Sequence, residues 1–223
     1  MALERSPAQQ KIIVTPAKPA DSRIAAGLIR LAMGKVADFM FGFGSSTRAT
    51  NMIENLFTQN GSRFSYQLAH TARTANGDIV GIVIAYPCSK TVGLHVVMAR
   101  QLLPIYGMLN SLLFLWNALV LLMGVLSFGQ SKTCWGDEYY ISTLAVLPEF
   151  QGMGIGTMLL AYVEDEAKKA GFRKCSLGVD IENDHAIRLY EHLGYKIVET
   201  VKVKRFSKRI GSRGFYRMVK PLV

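Results

Sequence analysis

Charge is missing from one long stretch of this sequence, since no charged residue occurs between Arg100 and Lys132, and acid is scarce throughout, with 16 Asp and Glu against 26 Lys and Arg. The imbalance gives a formal net charge of +10, with basic residues crowded toward the end from Lys196 to Lys220. Such a field excludes an acidic solvating chain and favours an anionic small molecule, an acidic substrate, nucleic acid or an anionic membrane surface. Cysteine is sparse as well: Cys88, Cys134 and Cys175 are an odd number in unrelated contexts, without CxxC spacing or neighbouring histidines of the ligand type. That pattern reads as reduced thiols in a reducing compartment, with no zinc or other metal site. Met1 to Ala20 has no apolar core of the signal-peptide kind, so a cytoplasmic protein is expected.

What is present fits one globular domain. The 223 residues are 50% apolar and 19% charged, too hydrophobic for disorder and too mixed for a polytopic membrane protein. A single domain is expected over residues 1–223, with an apolar helical insertion at 89–130. Lys11 to Thr15 reads as a first strand. Asp21 or Ser22 then caps a helix with Ile24, Leu28 and Leu31 on one face. Ser65 to Thr74 and Asp78 to Tyr86 form a hairpin around Ala75, Asn76 and Gly77, the second run being apolar enough for a central strand. Tyr139 to Val146 is a strand, followed by a glycine-rich turn and a helix to about Ala170 with Leu159, Leu160, Val163 and Ala167 inward. Cys175 to Asp180 is a strand, and Asn183 to Leu193 a helix with Ala186, Leu189, Tyr190 and Leu193 on one face and Gly194 as its stop. Strands near Lys196 to Val203 and Phe215 to Val219 close the chain. The order predicts an α/β fold with a central mixed β-sheet flanked by helices, the insertion lying between the third and fourth strands.

The uncharged stretch approaches the length of a bilayer span. A single crossing would place two strands of one sheet on opposite sides of a membrane, so a hairpin is expected instead, with helices over roughly Val92 to Leu103 and Ser111 to Leu126 broken at Pro104, Gly107 and Asn110. Its apolar surface is expected to cover the core or a substrate, to join two copies in a homodimer, or to associate with a membrane surface. The basic run Lys202 to Arg209 is short and lies between strands, which disfavours nucleic acid as a partner.

The segment most informative about chemistry is Leu144 to Thr157, a strand, a turn and a helix start containing Gln151, Gly152, Met153, Gly154, Ile155, Gly156 and Thr157. Glycines let backbone approach a ligand closely, and the unpaired N–H groups opening a helix favour an anion such as pyrophosphate. The spacing does not match Gly-x-Gly-x-x-Gly, because Thr157 or Leu159 stands where the third glycine belongs, although Asp180 after the next strand keeps a dinucleotide reading open. No Gly-Lys-Ser or Gly-Lys-Thr follows, which excludes a P-loop.

Gln151, Gly154 and Gly156 match the signature Gln or Arg, two residues, Gly, one residue, Gly or Ala. With Leu144 to Pro148 before it and Asn183, Ala186, Tyr190, Gly194 and Tyr195 after it, the chain from Tyr139 to Tyr195 resembles the GCN5-related N-acetyltransferases, the GNAT superfamily. The resemblance implies direct transfer of acetyl from acetyl-CoA to a primary amine of a small molecule or peptide. It implies that Leu144, Ala145 and Val146 meet the pantetheine through main chain, that the N–H groups from Gln151 to Thr157 bind pyrophosphate, and that Asn183 hydrogen-bonds the pantetheine. Tyr190 takes the position of the acid that protonates the departing thiolate, and the Val146 N–H that of an oxyanion donor. Relatives carry an acid further along the strand where this chain has Ser142 and Thr143, which leaves Glu138 as the candidate base. The alternative is a catalytically weak CoA-binding protein acting through membrane or protein association of its insertion.

Overall fold

The computed structural model describes residues 11–107, 135–202 and 211–222. Its strands are β1 (Ile13–Pro16), β2 (Ala69–Arg73), β3 (Ile79–Pro87), β4 (Tyr139–Val146), β5 (Lys174–Asp180), β6 (Lys196–Lys202) and β7 (Gly214–Pro221). Its helices are α1 (Ser22–Met33), α2 (Lys35–Gly42), α3 (Ser46–Thr58), α4 (Thr91–Gly107), α5 (Ile155–Lys169) and α6 (Asp184–His192). The strands belong to a mixed seven-stranded sheet flanked by helices, as the sequence predicts. The chain divides into two compact units: the first holds residues up to Asn60 with Phe64–Ala85 and Ile141–Gly171, the second Gly61–Arg63, Tyr86–Tyr140 and the chain from Phe172 onward.

In the first unit the strand order is β1-β2-β3-β4, with β1 antiparallel to β2 and β2 antiparallel to β3. The β2–β3 turn closes where Ala75, Asn76 and Gly77 predict it: Gly77 sits at φ 91° and its N–H donates to the Thr74 carbonyl at 2.9 Å. β3 is buried from Ile79 through Tyr86, which suits a central strand. Gly81 leaves the room for α5 to close on the sheet, since a Cβ there would lie 3.1 Å from the Ala145 carbonyl oxygen and 3.1 Å from Leu159 Cδ1. The predicted inward face of α5 is buried, with Ile155 added to Leu159, Leu160, Val163 and Ala167.

Two expectations for this unit need correction. In α1 the buried stripe is Ala25, Ala26, Leu28 and Ile29, while Ile24 and Leu31 remain 47% and 46% exposed. Small alanines allow helices to approach closely, so the packed face is the one with less apolar bulk. The opening also contains two helices more than expected. α2 is short and bounded by Gly34 and Gly44, both at positive φ, and α3 is largely polar on its outer side, so neither gives a long apolar period. α3 is fixed at its start by Ser45, whose hydroxyl accepts from the Arg48 N–H at 3.4 Å.

In the second unit the order is β5-β7-β6, with β7 antiparallel to both neighbours. α4 begins as the sequence predicts but its backbone continues through Pro104 to Gly107. The second insertion helix, Ser111 to Leu126, lies outside the described residues, as does the basic run after Lys202. No helix among the described residues is long and apolar enough to cross a membrane. His95 on α4 donates from Nδ1 to the Thr91 carbonyl at 2.7 Å, leaving Nε2 to accept from Arg63 at 3.2 Å. Burial, and then the Arg63 charge, hold this imidazole below its ordinary pKa. The reading of all cysteines as reduced is also corrected: Cys175 is buried and free, but Cys88 is disulfide-bonded to a partner outside the described residues. Spacing along the chain says nothing about which thiols meet in space.

Candidate active site

The glycine-rich turn lies in the first unit and is stitched to the end of β4. The Leu147 N–H donates to the Val80 carbonyl at 2.9 Å, the Phe150 N–H to Leu147 at 2.9 Å, and the Gln151 side-chain Nε2 to the Val146 carbonyl at 3.1 Å. Gly152 and Gly154 have φ of 79° and 76°, the left-handed region that disfavours side chains. Nothing lies within 4 Å of a Cβ built on either, so backbone conformation rather than crowding requires glycine, and the space above both stays open. Gly154 is the N-cap of α5 and no side chain caps that end. The first donor with a partner in the helix is Met158, bonded to the Gly154 carbonyl at 3.0 Å. The N–H groups of Ile155, Gly156 and Thr157 are therefore the orphan donors of the helix start, where the helix dipole favours negative charge. The turn from Gln151 to Gly154 is exposed. These features fit a phosphate-bearing ligand.

The remaining expected residues lie in the second unit. Asn183 is the N-cap of α6; its Oδ1 accepts from the Ala186 N–H at 3.1 Å, which leaves the side-chain amide N–H groups as donors. Asp180, whose place after a strand favoured a dinucleotide, instead accepts from the Glu182 N–H at 2.8 Å and holds the turn into α6. Tyr190 is 9% exposed and stacks edge-on against Tyr195 at 5.9 Å. Burial pushes its phenol up to about 12, so it stays protonated across the working range of pH.

Glu138 is 3% exposed at the start of β4. Its Oε1 accepts from the Arg217 guanidinium at 2.5 Å and its Oε2 from the Trp135 N–H at 3.0 Å. Arg217 comes from β7, 79 positions along the chain, and nothing in the sequence pointed to it. The pair forms part of a cleft of about 530 Å3 lined also by Trp135, Asp137, Lys174, Val198 and Val219. At its rim Lys174 donates to Asp137 at 3.2 Å, and that contact holds the Asp137 carboxyl below its ordinary pKa.

Comparison with known proteins gives a consistent result. Residues 106–195 match the Acetyltransferase (GNAT) family. An uncharacterised N-acetyltransferase of Methanocaldococcus jannaschii is 40% identical over 80 residues, which is 36% of this chain and 30% of that protein. The N-alpha-acetyltransferase 50 of Danio rerio is 40% identical over 72 residues, 32% of this chain and 42% of that protein. The chain thus spans less than half the length of these relatives. Among solved structures, an acetyltransferase superposes with a TM-score of 0.66 at 21% identity, covering 95% of this chain and 100% of the other. An N-acetyltransferase from Staphylococcus aureus Mu50 superposes with a TM-score of 0.65 at 20% identity, covering 93% and 99%. These two likenesses bear on the fold.

Proposed function

We propose that this chain, whose residues 106–195 match the Acetyltransferase (GNAT) family, is an N-acetyltransferase moving acetyl from acetyl-CoA directly to a primary amine of a small molecule or peptide. The observation that carries the reading is the uncapped start of α5, where two left-handed glycines open a row of unpaired N–H donors. Acetyl-CoA, when bound, supplies the acetyl group as an activated thioester. Within the turn from Gln151 to Thr157 the Gln151 N–H is engaged by the Pro148 carbonyl at 3.2 Å, and the N–H groups after it hold the pyrophosphate. Leu144, Ala145 and Val146 offer main-chain groups to the pantetheine, and Asn183 adds its side-chain amide. The Val146 N–H serves as oxyanion donor.

Tyr190 supplies the proton for the leaving thiol. Its hydroxyl has no hydrogen-bond partner among the described residues, so the donor is available. Glu138 is proposed as the base acting through water, since one lone pair on each oxygen is engaged by Arg217 and Trp135 and only the others remain. No covalent enzyme intermediate is required, and the cysteines take no part.

Thiol release from acetyl-CoA should require an added primary amine, and Glu138→Gln should lower its rate roughly 100-fold while leaving acetyl-CoA affinity unchanged. Release independent of amine, or an unchanged rate in Glu138→Gln, would contradict the respective assignment.

A further inference from the structure

The middle of β5 carries a glycine that the fold does not need. Gly178 has no positive φ, and a Cβ built on it would meet only the Tyr140 hydroxyl, at 3.8 Å. The contrast with Gly214 is direct, because there a Cβ would lie 2.3 Å from the Val201 carbonyl oxygen. A strand interior loses stability to an unneeded glycine. Yet Gly178 is exposed between buried Leu177 and Val179, so a pit reaches the strand at this point.

Buried polar groups lie on the same side of the sheet. Side chains alternate along a strand, and directly opposed residues of an antiparallel pair share a face. Gly178 opposes Arg217, and Ser176 opposes Val219, on the same face. The Ser176 Oγ is buried without a hydrogen-bond partner. Tyr140, beside Gly178, stacks edge-on against Tyr86 at 5.8 Å, and the Tyr86 Oη is likewise buried and unpartnered. Each such hydroxyl is costly to bury unless something bonds it. Lys220, which alternates with Val219 onto the opposite face, reaches over the Tyr195 ring at 5.6 Å, and Tyr195 packs on Tyr190. Tyr195 with Tyr190 and the pit therefore lie on opposite faces of β5 and β7, and Gly178 is only five residues before Asn183 in the chain.

We propose that the amine acceptor seats a hydroxyl- or amide-bearing portion over Gly178, hydrogen-bonded by Ser176 and Tyr86, so that the enzyme prefers polar amines to aliphatic ones. The assignment rests on the acetyltransferase reading. A bare hydrocarbon in this place would leave both hydroxyls unpaired, and a site built to bond polar groups rejects such an analogue strongly.

The test uses the full chain and two matched pairs of amines: D-glucosamine against cyclohexylamine, and L-alaninamide against isopropylamine. In at least one pair the polar member should show a kcat/KM about tenfold or more above its partner. Gly178→Val places a side chain in the pit, its Cβ meeting nothing nearer than the Tyr140 hydroxyl at 3.8 Å, and should reduce that ratio to about one while acetyl-CoA affinity stays the same. Ser176→Ala removes an unpartnered buried hydroxyl; it should keep or raise the unfolding midpoint and still lower kcat/KM for the polar amine about tenfold. A merely structural serine would not show that combination. Equal use of polar and bare amines, or a preference untouched by both variants, overturns the proposal and assigns the pit to water. Failure to bind acetyl-CoA would instead sink the transferase reading. The pit is then judged by calorimetry with D-glucosamine and L-alaninamide alone, where binding lost in Gly178→Val upholds it and no binding of either refutes it.

Discussion

Replacing Arg217 by methionine is expected to destabilise the protein by about 3–5 kcal/mol, the usual consequence of removing one partner from a buried ion pair. The side chains of Arg217 and Glu138 are 7% and 3% exposed, so methionine would leave the buried carboxylate beside Trp135, Val198 and Val219 without its counter-charge. The effect should appear in urea unfolding as a lower midpoint at an unchanged slope. The loss belongs to the stranded charge rather than to the worth of the pair. Accordingly, Glu138→Met combined with Arg217→Met should recover most of the stability, because two apolar side chains of similar volume replace the pair without desolvating an ion. A double variant as unstable as the single one would assign the loss to packing around the guanidinium. By contrast, removing Lys174 from its exposed contact with Asp137 should change stability little, since such surface pairs are worth roughly 0–1 kcal/mol.

Tyr190→Phe should lower kcat roughly 100-fold, the scale of a lost general acid, with acetyl-CoA affinity nearly unchanged because the ring still packs on Tyr195. The phenol is pushed up to about 12 by burial, above an ordinary value near ~10. A thiolate held in the same apolar surroundings gains basicity for the same reason, so the two remain matched. The native enzyme should then show no loss of rate from this group below about pH 10. Stability follows the same linkage. The folded value lies above the unfolded one, so the stabilisation from keeping the phenol neutral is complete below about pH 10 and is lost as pH rises toward about 12. Tyr190→Phe should flatten that alkaline decline. A native-like kcat in Tyr190→Phe would remove the residue from proton transfer.

The sequence was informative where one local segment carries a whole function. Gly152 and Gly154 stand at left-handed φ in the turn that their spacing marks, and Asn183, Tyr190 and Gly194 fall on the cap, the buried face and the stop of α6 as the helical period places them. It was uninformative where a partner is distant. Arg217 reaches Glu138 from across 79 positions, and no local pattern identifies a buried arginine among many basic residues. Apolar bulk alone points to the wrong stripe of α1, where alanines make the close approach, and α2 has no legible period because eight residues between glycines make little more than two turns. Gly178 illustrates a further limit: a glycine in a strand looks the same in sequence whether packing, dihedral angle or a ligand requires it.

The central claim is tested most directly by calorimetric titration of the purified chain with acetyl-CoA, with NAD as a control and Gly154→Glu as the variant. The account predicts acetyl-CoA binding at about micromolar Kd, no binding of NAD, and at least a roughly 100-fold loss in the variant, whose carboxylate meets the orphan N–H groups from a left-handed position that tolerates no side chain well. Absence of acetyl-CoA binding, binding of NAD in its place, or an affinity that survives Gly154→Glu would contradict it.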